Sequence, residues 1–357
     1  MTRPLIVGLL TAALLLPAAE AAKKPKARAK AKSSPADVRY GPRADLLAFA
    51  ADVAERRGLD RAWLVKQLVQ AHRVEAVQRL IMPPPAGTAK DWAAYRGRFV
   101  EARRITAGAA FWQVNEDALR RAEERWGVPS EIVVGIVGVE TYFGRLTGGF
   151  RVLDALATLG FDFPPGRKDR SEFFRGELEE FLVLCQREGL DPQALKGSFA
   201  GAMGLPQFMP GSINRFAVDF DGDGRIDLAA SSADAIGSVA HFLAEAGWQR
   251  GMPTRFDVAM PVDSRERALL LVPDILPTFS AAQLAEHGAV LADAGRAHAG
   301  PLALVELQNG DRAPSYVAGT QNFYAITRYN WSSYYAMAVI TLGEAVAAQR
   351  AALPPGR

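Results

Sequence analysis

Between Ile132 and Val139 the chain reads IVVGIVGV, without one polar side chain. Apolar residues at Ile132, Val133, Ile136, Val137 and Val139 predict a helix, and a helix apolar on all sides has to be enclosed by other elements. Pro129 suits an early helical position, and Ser130 and Glu131 suit the first turn. The run ends on Glu140, followed by Thr141, Tyr142, Phe143 and Gly144. A lone carboxylate at the end of a core helix is poorly solvated when charged. Its pKa should rise, which suits general acid chemistry near neutral pH. A structural Glu tied to backbone donors is the alternative the helix alone leaves open.

A core helix of this kind needs a large surround, and 357 residues supply enough for two or three domains. Hydrophobic residues make up 49% and charged residues 23%, the balance of a globular body. The N-terminus stands outside that body. Arg3 precedes an apolar stretch, Leu5 to Leu16, and small residues follow at Ala18 to Ala22. This is the pattern of a secretory signal peptide over residues 1–22, too short for a comfortable membrane span. No Cys follows the cleavage region, so a periplasmic location without a lipid anchor is expected. Residues 23–41 begin KKPKARAKAKSSP and read as a disordered basic linker.

Charge then divides sharply. Residues 1–32 hold 7 of the 42 Lys and Arg and 1 of the 39 Asp and Glu, which leaves 35 basic against 38 acidic groups elsewhere, a net of −3. The pI near 9.0 therefore belongs to the tail, and the body offers no support for nucleic-acid binding. The single cysteine, Cys185, excludes an internal disulfide and reads as core on an amphipathic helix. The four histidines, His72, His241, His287 and His298, show no metal-ligand spacing.

Helical spacing runs from Pro42 to Gln78 and again from about Lys90 to Arg125, with MPPPAGT between them. Residues 42–128 read as an α domain, and 129–250 as a core of further helices. From 251 to 323 the text changes to TRFDVAMPV, ERALLLVPD and PLALVELQNGDRAPSYVAG. Short apolar runs with Pro and Gly-Asp turns suggest strands, with SAAQLAEHG a small helix among them. This is a small β subdomain. Residues 324–357 return to helix and to the core. The expected class is α+β, mainly α.

Three more segments carry chemistry. GSFAGAMGLPQFMPGS, Gly197 to Ser212, combines glycines that permit close approach with Gln207, Phe208 and Met209. Amide, aromatic and thioether suit a wall against a sugar, or else a structural loop. DFDGDGRIDLAASSAD, Asp219 to Asp234, places Asp219, Asp221 and Asp223 at positions 1, 3 and 5 of an EF-hand-like loop, with Gly224 at 6 and the Arg225 carbonyl at 7. Position 12 is Ala230 rather than Glu; Asp234, at position 16, is the residue able to close a longer loop. FYAITRYNWSSYYA, Phe323 to Ala336, crowds Tyr324, Tyr329, Asn330, Trp331, Tyr334 and Tyr335 into one segment, again fit for a carbohydrate or for an aromatic core.

GVETYFGR, GSFAGAMGLPQFMP, AVDFDGDGRIDL, DAIGSV and AITRYN together resemble the lytic murein transglycosylase B family, in order, from about Trp92 to the C-terminal helix. The resemblance implies a lysozyme-like core with an α domain, a small β domain and one structural Ca²⁺ in the Asp219, Asp221, Asp223, Arg225 and Asp234 loop, with no organic cofactor. It implies peptidoglycan glycan strands as substrate, cleaved between N-acetylmuramic acid and N-acetylglucosamine to a 1,6-anhydro product. Glu140 matches the catalytic acid/base. Ser198, Gln207 and Phe208 match the sugar-binding wall, Tyr329 and Asn330 the pair near the scissile bond, and Tyr335 and Tyr95 further tyrosines of the site. Arg170, before SEFF, matches a substrate-binding arginine. Phe242 stands where some relatives carry a tyrosine.

Glycosidases usually employ two carboxylates. This motif supplies one, which suffices if the C6 hydroxyl of the muramic acid is the nucleophile. The rival readings are a hydrolytic muramidase, a non-catalytic peptidoglycan-binding protein and a calcium sensor. Cell-wall synthesis enzymes are the protein partners such an activity admits, and a monomer without a membrane span is expected.

Overall fold

The computed structural model describes residues 38–83, 90–260 and 263–352. Residues 1–37, read as a signal peptide and most of a basic linker, lie outside the described residues. Val38 to Gly41, read as the end of that linker, are tied to the body. Strand β1 (Val38–Arg39) pairs antiparallel with β2 (His72–Arg73), and the Tyr40 hydroxyl donates to Asp162 at 2.5 Å.

Helices α1 (Ala44–Arg57), α2 (Arg61–Leu68) and α3 (Glu75–Leu80) come first. Then follow α4 (Trp92–Gly97), α5 (Ala102–Val114) and α6 (Glu116–Trp126), and the apolar helix α7 (Ser130–Thr141). Strand β3 (Phe150–Arg151) leads into α8 (Val152–Phe161) and α9 (Ser171–Arg187), and β4 (Lys196–Gly197) pairs back onto β3. Helices α10 (Pro210–Phe216) and α11 (Ser232–Glu245) flank the aspartate loop. The 42–128 segment, a single α domain in the sequence reading, divides in space. Helix α3 and strand β2 pack on α8, and Arg56 and Arg57 of α1 reach Glu179 of α9, whereas α5 and α6 pack on α7.

The β subdomain is a four-stranded antiparallel sheet, β6-β5-β8-β7, built from β5 (Arg255–Ala259), β6 (Val290–Leu291), β7 (Ala303–Asn309) and β8 (Arg312–Gly319). Helices α12 (Ser264–Leu271), α13 (Ala281–Glu286) and α14 (Asp293–Arg296) are interleaved. The ERALLLVPD stretch, read as strand, is instead helical through Leu271 and ends in a turn. Asp263 caps its start by accepting the Arg265 N–H at 2.7 Å, and its Ala-Leu run has high helix propensity. This lobe has a small core of its own, centred on Leu270, Leu284, Leu302 and Leu304.

The chain closes with α15 (Gln321–Tyr329) and α16 (Ser333–Ala352). Helix α16 runs antiparallel along α7: Glu131 meets Gly343, and Gly135 meets Val339. Every residue of α7 except Glu131 and Glu140 is buried, enclosed by α5, α6, α11 and α16. Cys185 is buried and free, and burial pushes its thiol up to about 12, which fits core rather than nucleophile.

Candidate active site

Glu140 is the penultimate residue of α7, half-buried where that helix stops. The helix stops because Tyr142 turns left-handed (φ 52°) and its N–H returns to the Gly138 carbonyl at 3.2 Å. Thr141, wholly buried, fastens this end to the neighbouring loop. Its hydroxyl donates to the Leu205 carbonyl at 2.9 Å and accepts the Gly144 N–H at 3.1 Å.

The Tyr335 hydroxyl donates to Glu140 Oε1 at 2.7 Å. Burial pushes the Glu140 carboxyl up to about 8; the Tyr335 bond opposes this, because it favours the charged form. Tyr95, Tyr329 and Tyr335 all sense the Glu140 charge. Burial first, and that charge second, hold their hydroxyls above the ordinary tyrosine range, so all three remain protonated donors.

An aromatic wall supports them. The Tyr329 ring stacks on Tyr335 with centroids 6.3 Å apart and 14° between planes. Phe208 lies 5.6 Å and Phe242 4.9 Å from the Tyr329 ring, so Phe242 packs beside a tyrosine without adding a hydroxyl. On the other side Tyr95 meets Phe99 at 5.1 Å and Tyr334 at 5.8 Å. Tyr329 is pinned by its hydroxyl, which donates to the Pro206 carbonyl.

That carbonyl belongs to the loop after β4, where every residue from 197 to 213 is buried. Met203 and Phe208 exchange backbone hydrogen bonds at 2.8 and 3.1 Å, and Gln207 takes a left-handed turn between them (φ 51°). Gln207 donates both amide protons inward, to Thr147 O at 3.1 Å and Gly204 O at 2.8 Å. Ser198 Oγ accepts the N–H groups of Ala200 and Ala202 at 3.3 and 3.0 Å, keeping its own proton to donate. Asn330 follows Tyr329 directly, half-buried at the end of α15. Arg170 opens α9 with its guanidinium 4.4 Å over the Phe173 ring.

Glu140, Tyr95, Tyr329, Tyr335 and Phe208 thus lie together in the structure. Thr141 and the Pro206 carbonyl were not legible as site groups. Thr141 does stand out as a hydroxyl in an apolar helix; a backbone carbonyl leaves no trace in sequence.

The aspartate loop lies on the outside. Carboxylate oxygens of Asp219, Asp221 and Asp223 approach within 4.8 Å of one another, and all three residues are exposed. Asp219 accepts the Gly222 and Gly224 N–H groups at 2.7 and 2.8 Å, curling the loop around its carboxylate. An all-oxygen cluster of this kind fits a hard divalent cation. Asp234, expected as a ligand, is not in the cluster. It is buried, and its oxygens accept the N–H groups of Phe220 (2.8 Å), Asp221 (3.3 Å) and Asp227 (2.8 Å). Those bonds hold the loop onto α11.

The arrangement has close counterparts. The profile of the transglycosylase SLT domain matches residues 42–344. The chain is 43% identical over 312 residues to the membrane-bound lytic murein transglycosylase B of Escherichia coli K12, covering 85% of this chain and 82% of that protein. The soluble lytic transglycosylase SltB1 of Pseudomonas aeruginosa superposes with a TM-score of 0.78 at 40% identity, over 86% of this chain and 99% of that one. Escherichia coli lytic transglycosylase Slt35, solved in complex with calcium, gives a TM-score of 0.76 at 42% identity, over 87% and 95% of the two chains. A mainly helical α+β scaffold with a lysozyme-like core is therefore shared with these enzymes, and the chain belongs to the SLT-domain transglycosylases as a peptidoglycan lytic transglycosylase.

Proposed function

We propose that Glu140 is the single acid/base of this transglycosylase. The observation that carries the reading is the isolation of its carboxyl. Among the described residues, burial raises its pKa and the Tyr335 hydroxyl opposes the rise, with no charge of a second carboxylate among the causes of the shift. At neutral pH it holds a proton, which it gives to the glycosidic oxygen as the C1–O4 bond breaks. The carboxylate so formed is stabilised by Tyr335. It then takes the proton from the C6 hydroxyl of the muramic acid as that oxygen bonds to C1. The proton returns to Glu140, no water is consumed, and the product is the 1,6-anhydro sugar. A hydrolytic glycosidase would need a second carboxylate about 5–9.5 Å away.

Tyr329, Asn330, Ser198, Gln207 and Arg170 are assigned to hold acetamido, hydroxyl and stem groups of the glycan, with Phe208 and Tyr95 supporting the rings. Asp219, Asp221 and Asp223, with the Arg225 carbonyl, are assigned one Ca²⁺, which would supply charge balance to an acidic turn. Export to the periplasm is supported by the N-terminal sequence pattern. Among the described residues no helix is long and apolar enough to cross a membrane.

The test is digestion of purified sacculi with the products weighed. Wild type should release muropeptides one water lighter than hydrolytic products. Glu140→Gln keeps the shape but cannot cycle a proton, so a loss of at least ~10²-fold is expected with folding intact. Near wild-type digestion by that variant would remove Glu140 from the role.

A further inference from the structure

We infer that Arg104 is a positioning residue for the reaction, acting through the C-terminal turn of α7 that carries Glu140. The inference rests on the assignment of Glu140 as acid/base. Arg104 stands in the first turn of α5, where Glu101 caps the helix by accepting the Arg104 N–H at 2.7 Å. Its side chain leaves α5 and crosses to α7. Nη1 donates to the Gly138 carbonyl at 2.8 Å, the same oxygen that accepts the Tyr142 N–H. The guanidinium lies 4.6 Å from the Tyr142 ring centroid and 5.3 Å from that of Phe99.

The placement is an expensive one for a cation. Nε is buried and has no hydrogen-bond partner, and burial lowers the guanidinium pKa. A methionine would fill similar space without that penalty. What the guanidinium adds is a hold on one backbone atom and two rings at once.

That hold falls where the backbone needs it. Tyr142 and Phe143 are consecutive left-handed residues without being glycine (φ 52° and 57°). Such conformations persist only where the surroundings over-determine them. Phe143 is fixed by packing: its ring tip occupies the space that a Cβ on Gly108 or Gly138 would take, 2.8 and 2.7 Å away. Tyr142 lacks such a socket. Its ring lies against Arg104, edge-on to Phe143 at 6.3 Å and, at 4.8 Å, beside the exposed Arg145. Arg104, half-buried with its Nε out of solvent, is thus the clamp on the turn that begins immediately after Glu140 and Thr141. A cation at the C-terminal carbonyls also complements the helix dipole.

The experiment compares Arg104→Met, Arg104→Lys and Glu140→Gln on sacculi across pH. If α7's end loosens, Glu140 samples misaligned positions and water reaches its carboxyl. Arg104→Met should then lose about 10-fold or more in kcat with KM changed less than about threefold. Its alkaline limb should move below the wild-type value of about 8. Arg104→Lys, which restores a cation and a donor but not the planar stack, should recover part of the rate. A role in stability alone predicts a lower melting temperature with wild-type kcat and an unmoved limb, measured well below the melting transition. That result, with Glu140→Gln inactive, overturns the inference and leaves the acid/base assignment standing. An active Glu140→Gln overturns both. Should Arg104→Met fail to fold, the kcat and limb of Arg104→Lys decide in the same way.

Discussion

Glu140 and Tyr335 form the hydrogen-bonded pair proposed to react, and its pH behaviour follows from two opposing influences. Burial raises the Glu140 pKa to about 8, and the Tyr335 hydroxyl restrains the rise by donating to the charged form. The acid step needs the proton in place, so activity should hold through neutral pH and fall as pH rises through about 8. Removing the Tyr335 hydroxyl takes a donor from the carboxylate. In Tyr335→Phe the limb should therefore move to higher pH. The plateau should also drop, because the carboxylate formed during bond cleavage loses a charge-assisted hydrogen bond of about 1.5–3 kcal/mol, or roughly 10- to 100-fold in rate. A limb that moves down in a pH–rate profile of this variant would contradict the geometry. At this scale the sequence was informative. Glu140 was legible because it breaks an apolar run, and Tyr335 through its resemblance to the family. Arg104 was not legible, because a basic residue in a polar helical turn looks like any solvated one.

Two antiparallel helices decide whether that pair forms. Along α7 and α16, contact runs from Glu131 against Gly343, through Gly135 against Val339, to Glu140 against Tyr335. A Cβ on Gly343 would lie 2.1 Å from the Glu131 carbonyl oxygen, and one on Gly135 would lie 2.3 Å from that of Val339. Both obstacles are backbone, so a methyl can be admitted only by moving the helices apart. Gly343→Ala should cost about 1–3 kcal/mol or more in stability and lower kcat, because the Glu140–Tyr335 contact sits at the end of the same crossing. Gly176, exposed on α9 with nothing within 4 Å of its Cβ position, is the comparison. Gly176→Ala should be neutral or stabilising by up to about 1 kcal/mol through helix propensity. Chemical denaturation of the two variants checks the opposite signs. Helix α7 was legible from its unbroken apolar run. The closeness of the crossing was not, since a glycine in a helix is silent about what passes beside it. ERALLLVPD misled for a related reason: a short apolar run has no period, and its cap and its partners decide between helix and strand.

At the scale of the molecule, the sequence places elements in order but does not say which neighbours they choose. The division of residues 42–128 between α8 and α9 on one side and α7 on the other rests on long-range contacts such as Arg56 to Glu179. The aspartate loop shows the same limit. Its spacing announced a cation site, while Asp234 stands outside the cluster and accepts three backbone N–H groups. The loop is also fastened by Phe220, whose ring fills the space beside Gly237, lies 5.3 Å from Trp126 and is covered by Arg121 at 4.5 Å. Two contributions to stability should therefore separate. Ca²⁺ at about 100 times its Kd would add about 2.7 kcal/mol, a rise on the order of 5 °C for a chain of this size. Chelation should remove that rise in wild type. Asp221→Asn weakens the cluster but spares the three bonds to Asp234, so it should melt close to chelated wild type and respond little to added calcium. Asp234→Ala orphans three backbone N–H groups and should cost at least about 2 kcal/mol even in chelator, while keeping a calcium response. Melting curves of the three proteins with chelator and with calcium make the comparison. If Asp234→Ala matches chelated wild type and loses its calcium response, Asp234 is a ligand after all, and the loop is held by the ion rather than by the fold.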